Sequence, residues 1–273
     1  MKQDQIRQFI HLSKYAKWID NKRRREESLR ESAQRYADFW LERGLIDKNQ
    51  HLLMIDSIAG EQALPSMRAL MTAGPALARD NVAGYNCAYT AVETVGSEHI
   101  ELQHPKLKRN IVIDIANPIC FDEIFYILLC GTGVGYSVER QYITTLPVVG
   151  EELPFNNNFN GVAESELSTI IDGVIHVADS KYGWASALRH LIFSIYNGHY
   201  NVTWDVSKVR KKGERLKTFG GRASGPEPLV RLLTGVKEIM LEAKGRKLTS
   251  IECHSIVCLI ADVVVVGGVV TKH

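Results

Sequence analysis

Three short segments hold the residues best suited to chemistry. Cys87 stands in Gly84-Tyr-Asn-Cys-Ala-Tyr89, between a turn and a short strand. A thiol there is either a small buried hydrophobe or a reactive group, and composition alone favours the hydrophobe. Two further segments, Gly131-Thr-Gly-Val-Gly135 and Gly220-Gly-Arg-Ala-Ser-Gly-Pro226, are glycine-rich. Glycine lets a backbone approach a ligand closely or adopt a left-handed φ, and two such loops suggest a nucleotide-sized ligand. The first is no dinucleotide fingerprint: Tyr136 stands where the third glycine belongs, and the loop follows a helix instead of preceding one. Nor does a Gly-Lys-Ser/Thr follow, as a phosphate-cradling P-loop needs, so a helix C-cap turn explains this segment equally well. The second sets Arg222 among small residues. A guanidinium suits phosphates and base edges through paired hydrogen bonds, and free backbone N–H groups nearby make an anion nest. An ordinary mobile surface loop is the competing reading. Cys253, His254 and Cys258 invite a zinc reading, but the two cysteines are five apart on a helical pattern and fall on different faces. Both are therefore expected as buried helix cysteines, with no metal bound.

The elements that must position these residues follow from periodicity. Residues 1–60 read as helical, with Tyr15, Trp18, Tyr36, Phe39 and Trp40 as apolar anchors. The basic run Asn21-Lys-Arg-Arg-Arg-Glu-Glu27 reads as a solvated helix face or turn in preference to a phosphate patch. Pro65-Ser-Met-Arg68 turns into a short element, and Ala73-Gly-Pro75 punctuates the chain again. A buried helix is expected over Phe121–Cys130, stopped by Gly131, with a strand over Gly135–Val138. Residues 149–166 are asparagine-rich and read as an exposed loop. Ile170–Gly198 reads as helical, with Trp184, Leu188, Leu191 and Ile192 on one face. A short strand over Val202–Trp204 and helices over Leu229–Ala243 and Lys247–Val266 complete the pattern. Helices alternating with short apolar strands predict an α/β sheet or barrel.

Bulk properties exclude several classes. The chain has 273 residues, 45% of them hydrophobic, enough for one large core or two modest ones. The 33 basic residues nearly balance 31 acidic ones, so the overall field gives no argument for nucleic-acid or membrane binding. No apolar run reaches the roughly 18 residues a membrane helix needs, and Met-Lys-Gln-Asp-Gln begins no secretory signal. Five cysteines without a Cys-x-x-Cys pair point to a reducing cytosol instead of a disulfide scaffold.

Seven segments, in order, resemble the N-terminal part of the catalytic chain of adenosylcobalamin-dependent (class II) ribonucleotide reductases, of the kind found in bacteria and phages. They are Tyr15-Ala-Lys-Trp18; Pro65-Ser-Met-Arg-Ala-Leu-Met-Thr-Ala-Gly74; Arg79-Asp-Asn81; Tyr85-Asn-Cys87; Cys130-Gly-Thr-Gly-Val-Gly-Tyr-Ser-Val-Glu-Arg140; Leu216-Lys-Thr-Phe-Gly-Gly-Arg-Ala-Ser-Gly-Pro226; and Ala243-Lys-Gly-Arg246. Each is modest alone, but in this order they are spread over nearly the whole chain. The resemblance implies an N-terminal helical region, 1–60, followed over 61–273 by the first half of a ten-stranded α/β barrel, truncated after Val269. It implies that Cys87 is one of the redox pair that donates electrons to the ribose 2′ position, re-reduced by an external dithiol such as thioredoxin. Pro65, Ser66, Asn86 and Gly133 match positions lining the substrate ribose and phosphates. Glu139 and Arg140 fall in the first specificity loop. Arg222, Ala223, Ser224 and Gly225 fall in the second, which relays the identity of a deoxynucleotide effector to the substrate.

The sequence departs from the family pattern in ways that shape these expectations. After Gly267-Gly-Val269 it reads Val270-Thr-Lys-His273, where the family continues with Arg-Arg-Ser-Ala. The radical cysteine, the partner of Cys87, the C-terminal shuttle cysteines and most of the cobalamin site are expected outside this chain. Val95–Pro118 resembles an insertion, leaving the acidic residue that holds the effector ribose open between Glu93 and Asp114. Residues 1–12 show no activity-controlling nucleotide cone, and Cys253-His-Ser255 replaces the commoner Cys-His-Asp. The leading expectation is a cytoplasmic fragment, in a bacterium or phage-infected host, that works with a second polypeptide carrying the rest of the barrel. The alternatives are a non-catalytic deoxynucleotide-binding remnant and a truncated, inactive product.

Overall fold

The computed structural model describes residues 3–94, 98–103, 110–115, 118–150, 162–214 and 222–266. The chain divides into two compact units, Met1–Asn86 and Cys87–His273.

The first unit is mostly helical: α1 (Gln3–Ile10), running into a π-helical turn at His11–Tyr15, then α2 (Leu29–Glu42), α3 (Lys48–Ala59), α4 (Met67–Thr72) and α5 (Pro75–Arg79). A small antiparallel hairpin, β1 (Trp18–Ile19) and β2 (Arg24–Arg25), precedes α2, so the basic run at 21–27 is largely a turn. Capping fixes the helix starts. The Ser28 hydroxyl accepts the Glu31 N–H at the head of α2, and Asp47 and Gln50 form a reciprocal capping box at α3. Two small apolar clusters, around Ala33, Ala37, Ile55 and Ile58 and around Phe39, Ala73 and Leu77, are joined by a polar centre. There Arg35 grips buried Glu26 (Nε to Oε1, 2.6 Å) and also donates to the Leu70, Ala73 and Tyr15 carbonyls. Ser32 and the Lys17 N–H donate to the same carboxylate. This centre is why Tyr15-Ala-Lys-Trp18 is held against α2 and α4. Burial pulls Lys17 down to about 8, and neighbouring Arg35 pulls the same way.

The second unit contains β3 (Cys87–Ala91), β4 (Glu98–Gln103), β5 (Asn110–Ile115), α6 (Cys120–Leu129), β6 (Gly133–Ser137), α7 (Arg140–Ile143), β7 (Thr169–Ile171), β8 (Val174–His176), α8 (Lys181–Tyr196), β9 (Thr203–Asp205), α9 (Glu227–Glu242) and α10 (Ser250–Val266). It is an α/β arrangement with small sheets among the described residues. β3 pairs parallel with β6, β4 antiparallel with β5, and β7-β8-β9 form a three-stranded sheet with β8 and β9 parallel. A single large core joins α6, α8, α9 and α10, with Phe121, Phe125, Leu188, Leu191, Leu233 and Ile260 fully buried.

Two expectations need correcting. Ile170–Gly198 is not helical throughout: β7 and β8 occupy its first third, joined by Asp172 (φ 49°) and Gly173 (φ 77°). Both turn residues are left-handed, which is the two-residue hairpin turn that Asp-Gly favours. The helix that follows is buried on nearly every side instead of on one face, and inside the core Ser186 Oγ accepts the Ser168 N–H, Arg189 pairs with Asp122 and His190 Nε2 bonds the Ser168 carbonyl. The second correction concerns the first glycine loop. Only Gly131 takes a left-handed φ (81°); Gly133 and Gly135 are already extended residues of β6.

Candidate functional site

The parallel pairing of β3 with β6 sets Cys87 opposite Gly133, Tyr89 opposite Gly135 and Ala91 opposite Ser137. Side chains alternate along each strand, so Cys87 and Tyr89 share one face with Gly133 and Gly135. This face is open, with all four of these residues exposed. The opposite face carries Val134 and Tyr136, which pack on the main core with α6 beneath. The result is a thiol at one end of a floor that has no side chains at its two glycines. A β-carbon at Gly135 would meet the Tyr89 ring at 3.6 Å. Two segments selected separately from sequence are thus neighbours in one sheet, and Asn86, exposed, directly precedes the thiol.

Glu139 and Arg140 lie where β6 leads into α7, and both are exposed. The Glu139 N–H donates to Ser137 Oγ (3.3 Å), and Gln141 Nε2 donates to the Glu139 carboxylate. The start of α10 and the segment before it tether this stretch: Ser250 Oγ donates to the Val138 carbonyl, and Lys247 Nζ donates to that of Thr144. Arg222–Gly225 is held as well. The Gly213 N–H donates to the Ala223 carbonyl, the Ala223 N–H to the Glu214 carbonyl, and Arg222 Nη1 to the Gly213 carbonyl at 2.8 Å. These bonds argue against a loose surface loop at 222–225; Gly220 and Gly221 lie outside the described residues. Ser224 Oγ donates to the Gly225 carbonyl, and a β-carbon on Gly225 would lie 2.6 Å from Glu227 Oε2. Among the described residues no hydrogen bond joins Glu139 or Arg140 to Arg222–Gly225.

Pro65 and Ser66 belong to the first unit. The Ser66 hydroxyl accepts the Ala69 N–H (3.3 Å) and so caps α4, while Pro65 borders an open apolar hollow of about 490 Å³ with Tyr36, Leu53, Met54 and Leu64. Of the two candidates for an effector carboxylate, Glu93 is half-buried just after β3, and Asp114 lies on β5 with its side chain outside the described residues.

Sequence reasoning missed two arrangements. Asp122 of α6 and Arg189 of α8 form a buried ion pair, Arg189 Nη2 donating to Oδ2 at 2.6 Å. The second is on α10. Cys253 is buried as expected, but Cys258 is exposed and lies 3.4 Å from His254 Nε2. Their spacing of four residues, which puts them on one helix face, was the available signal. No group of three or more His, Cys, Asp or Glu side chains is arranged to hold a metal among the described residues, and no helix there is long and apolar enough to cross a membrane.

Residues 161–240 match the family model for the insertion domain of B12-dependent ribonucleotide reductase. Among curated proteins, a putative adenosylcobalamin-dependent ribonucleoside-triphosphate reductase of Mycobacterium phage D29 is 35% identical over 174 residues, 55% of this chain and 25% of its own length. The adenosylcobalamin-dependent ribonucleoside-triphosphate reductase of Lactobacillus helveticus is 27% identical across 93% of this chain and 39% of its own. This chain resembles the N-terminal part of a class II ribonucleotide reductase. The fold agrees: a crystal structure of a B12-dependent, class II ribonucleotide reductase superposes with a TM-score of 0.67, at 24% identity, over 94% of this chain and 40% of that one. The chain therefore spans about two fifths or less of the length of these reductases. The matched insertion-domain span includes β7, β8, α8, β9 and the Arg222–Gly225 segment.

Proposed function

We propose that this chain is the substrate- and effector-binding part of a ribonucleotide reductase that converts ribonucleotides to deoxyribonucleotides. The observation that carries the reading is the register of β3 with β6, which sets the exposed Cys87 thiol beside the bare backbone of Gly133. A ribose laid over Gly133 meets main chain there, beside the Tyr89 ring, and comes within reach of one thiol. In the reaction, Cys87 and a second cysteine outside this chain each give up a hydrogen and together form a disulfide. The two electrons reduce the ribose 2′ carbon as its hydroxyl leaves as water, and an external dithiol of the thioredoxin type restores the thiols. Asn86, which directly precedes the thiol, orients the substrate, and the motif that Pro65 and Ser66 share with the reductases assigns these two residues to substrate binding. Glu139 and Arg140 hold a deoxynucleotide effector together with Arg222–Gly225, whose pinned backbone suits a relay between two bound nucleotides.

The relatives' names give adenosylcobalamin as cofactor. It supplies radical chemistry when bound. Its cobalt is carried by its own corrin ring and needs no protein metal cluster, but the hollow beside Pro65, lined mainly by apolar side chains, does not match the amide-rich rim of that ring. We assign cobalamin to the part of the enzyme outside the aligned span. By the same reading β3 and β6 are strands of a ten-stranded barrel, of which this chain supplies part, with 1–60 as its helical approach.

The test is reconstitution. The chain is supplied with the remainder of the reductase and assayed with ribonucleotide, adenosylcobalamin and dithiol. Deoxynucleotide formation is expected, and Cys87→Ser is expected to abolish dithiol-dependent turnover while substrate binding persists. Full turnover in Cys87→Ser refutes the redox role. Effector binding to the chain with turnover at background in every reconstitution refutes the catalytic reading.

A further inference from the structure

α10 and β6 bring together a cluster that the proposed reductase chemistry does not use. Cys258 and His254 are one turn apart on the exposed face of α10, with Sγ 3.4 Å from Nε2. The other ring nitrogen, Nδ1, lies 2.7 Å from the Tyr136 hydroxyl, and the two rings are stacked with centroids 5.9 Å apart. A histidine whose one nitrogen is engaged has its ring orientation fixed, so the other nitrogen faces a single partner. Here that partner is a thiol open to solvent. Burial and the neighbouring Cys258 push the Tyr136 phenol up, so it remains a neutral hydroxyl; when it accepts from Nδ1–H, Nε2 carries the lone pair that a base needs.

We propose that Cys258 is a site of covalent modification, a nucleophilic thiol that exchanges with low-molecular-weight disulfides, with His254 as its base and Tyr136 as the group that orients the base. In the step, Cys258 Sγ attacks one sulfur of the disulfide RSSR. The S–S bond of RSSR breaks, a bond from Sγ to the attacked sulfur forms, and RS⁻ departs. The thiol proton passes to His254 Nε2 and from there to the departing thiolate. Cys258 is oxidised to a mixed disulfide, half of the small disulfide is reduced to a thiol, and no further oxidant is required. The remaining cysteines do not compete: Cys120, Cys130 and Cys253 are buried, and Cys87 is the other exposed thiol among the five. The site stands on geometry at α10 and holds independently of the role proposed for Cys87. It also touches that region, because Tyr136 is on the strand whose opposite face carries Gly133 and Gly135.

The experiment treats the full chain, without denaturant, with an aromatic disulfide whose released thiolate is coloured, and maps the modified peptides by mass. Cys258 is expected to react first, at least about tenfold faster than Cys87, which is less than a positioned base achieves in a closed active site because this pair is open to water. His254→Gln is expected to bring Cys258 down to the pace of Cys87 and leave Cys87 unchanged. Tyr136→Phe, which keeps the stacked ring and removes the hydroxyl, is expected to give a smaller drop. The proposal fails if Cys258 is no faster than Cys87, or if neither variant slows it. Should His254→Gln loosen the core, the peptides of Cys120, Cys130 and Cys253 become labelled, and Tyr136→Phe alone then decides.

Discussion

Asp122 shows how much one residue's surroundings can outweigh its partner. Its carboxylate receives two hydrogen bonds from Arg189, an arrangement that by itself favours the charged form. Yet complete burial is the larger influence and lifts Asp122 to about 7, with its second oxygen unpartnered. The linkage follows from this direction. Between the unfolded carboxyl value of about 4 and the folded value of about 7, the folded chain holds a proton that the unfolded chain has released. This group's contribution to stability is then greatest below pH 4, declines as pH rises to about 7, and is flat above that. Denaturant midpoints measured from pH 4.5 to 7.5 are expected to show this decline, and Asp122→Asn, which cannot titrate, is expected to flatten it. An unchanged slope in the variant means that the pair stays ionised throughout. Cys120, buried nearby, is held as a thiol by the same desolvation, so neither group is a free nucleophile at neutral pH.

At the level of elements, the helices over 120–129, 227–242 and 250–266 are legible in the sequence because long apolar periodic runs end in clear stop signals. What escapes is short and set by tertiary context. Thr169-Ile-Ile171 and Val174-Ile-His176 carry too few residues to show a period of two, and an apolar run beside a real helix reads as its extension. The Asp172-Gly173 pair was the local sign of a hairpin. It also gives a clean test. A β-carbon at Gly173 meets nothing within 4 Å, so Gly173→Ala introduces backbone strain without a clash. At φ 77° it is expected to cost about 1 kcal/mol, a fall in melting temperature of a few degrees for a unit of this size. A neutral result would mean that the turn is not held left-handed. The candidate site was half legible in the same way. Cys87 and the Gly131–Gly135 segment stand out by type, but their adjacency depends on a parallel pairing across a crossover of some forty residues, which no local pattern encodes.

At the scale of the molecule, the two units are built on different principles, and this difference has a measurable consequence. The second unit encloses one large apolar core spanning four helices. The first has two small apolar clusters tied by the buried network of Glu26, Arg35, Ser32 and Lys17. Apolar burial scales with area, whereas a buried ion pair contributes little net stability until one partner is removed. Removing Arg35 leaves Glu26 only 3% exposed and without its counter-charge, a loss of roughly 3–5 kcal/mol. That is comparable to the whole stability of a small unit. Native-state hydrogen exchange resolves such openings segment by segment. Amides of α2 are expected to exchange faster than those of α8 in the unaltered chain, and Arg35→Ala is expected to collapse protection across α2 and α4 while α8 and α10 keep theirs. If protection of α8 falls in step with that of α2, the two cores open as one cooperative structure, and the network around Arg35 stabilises the whole chain instead of the unit that contains it.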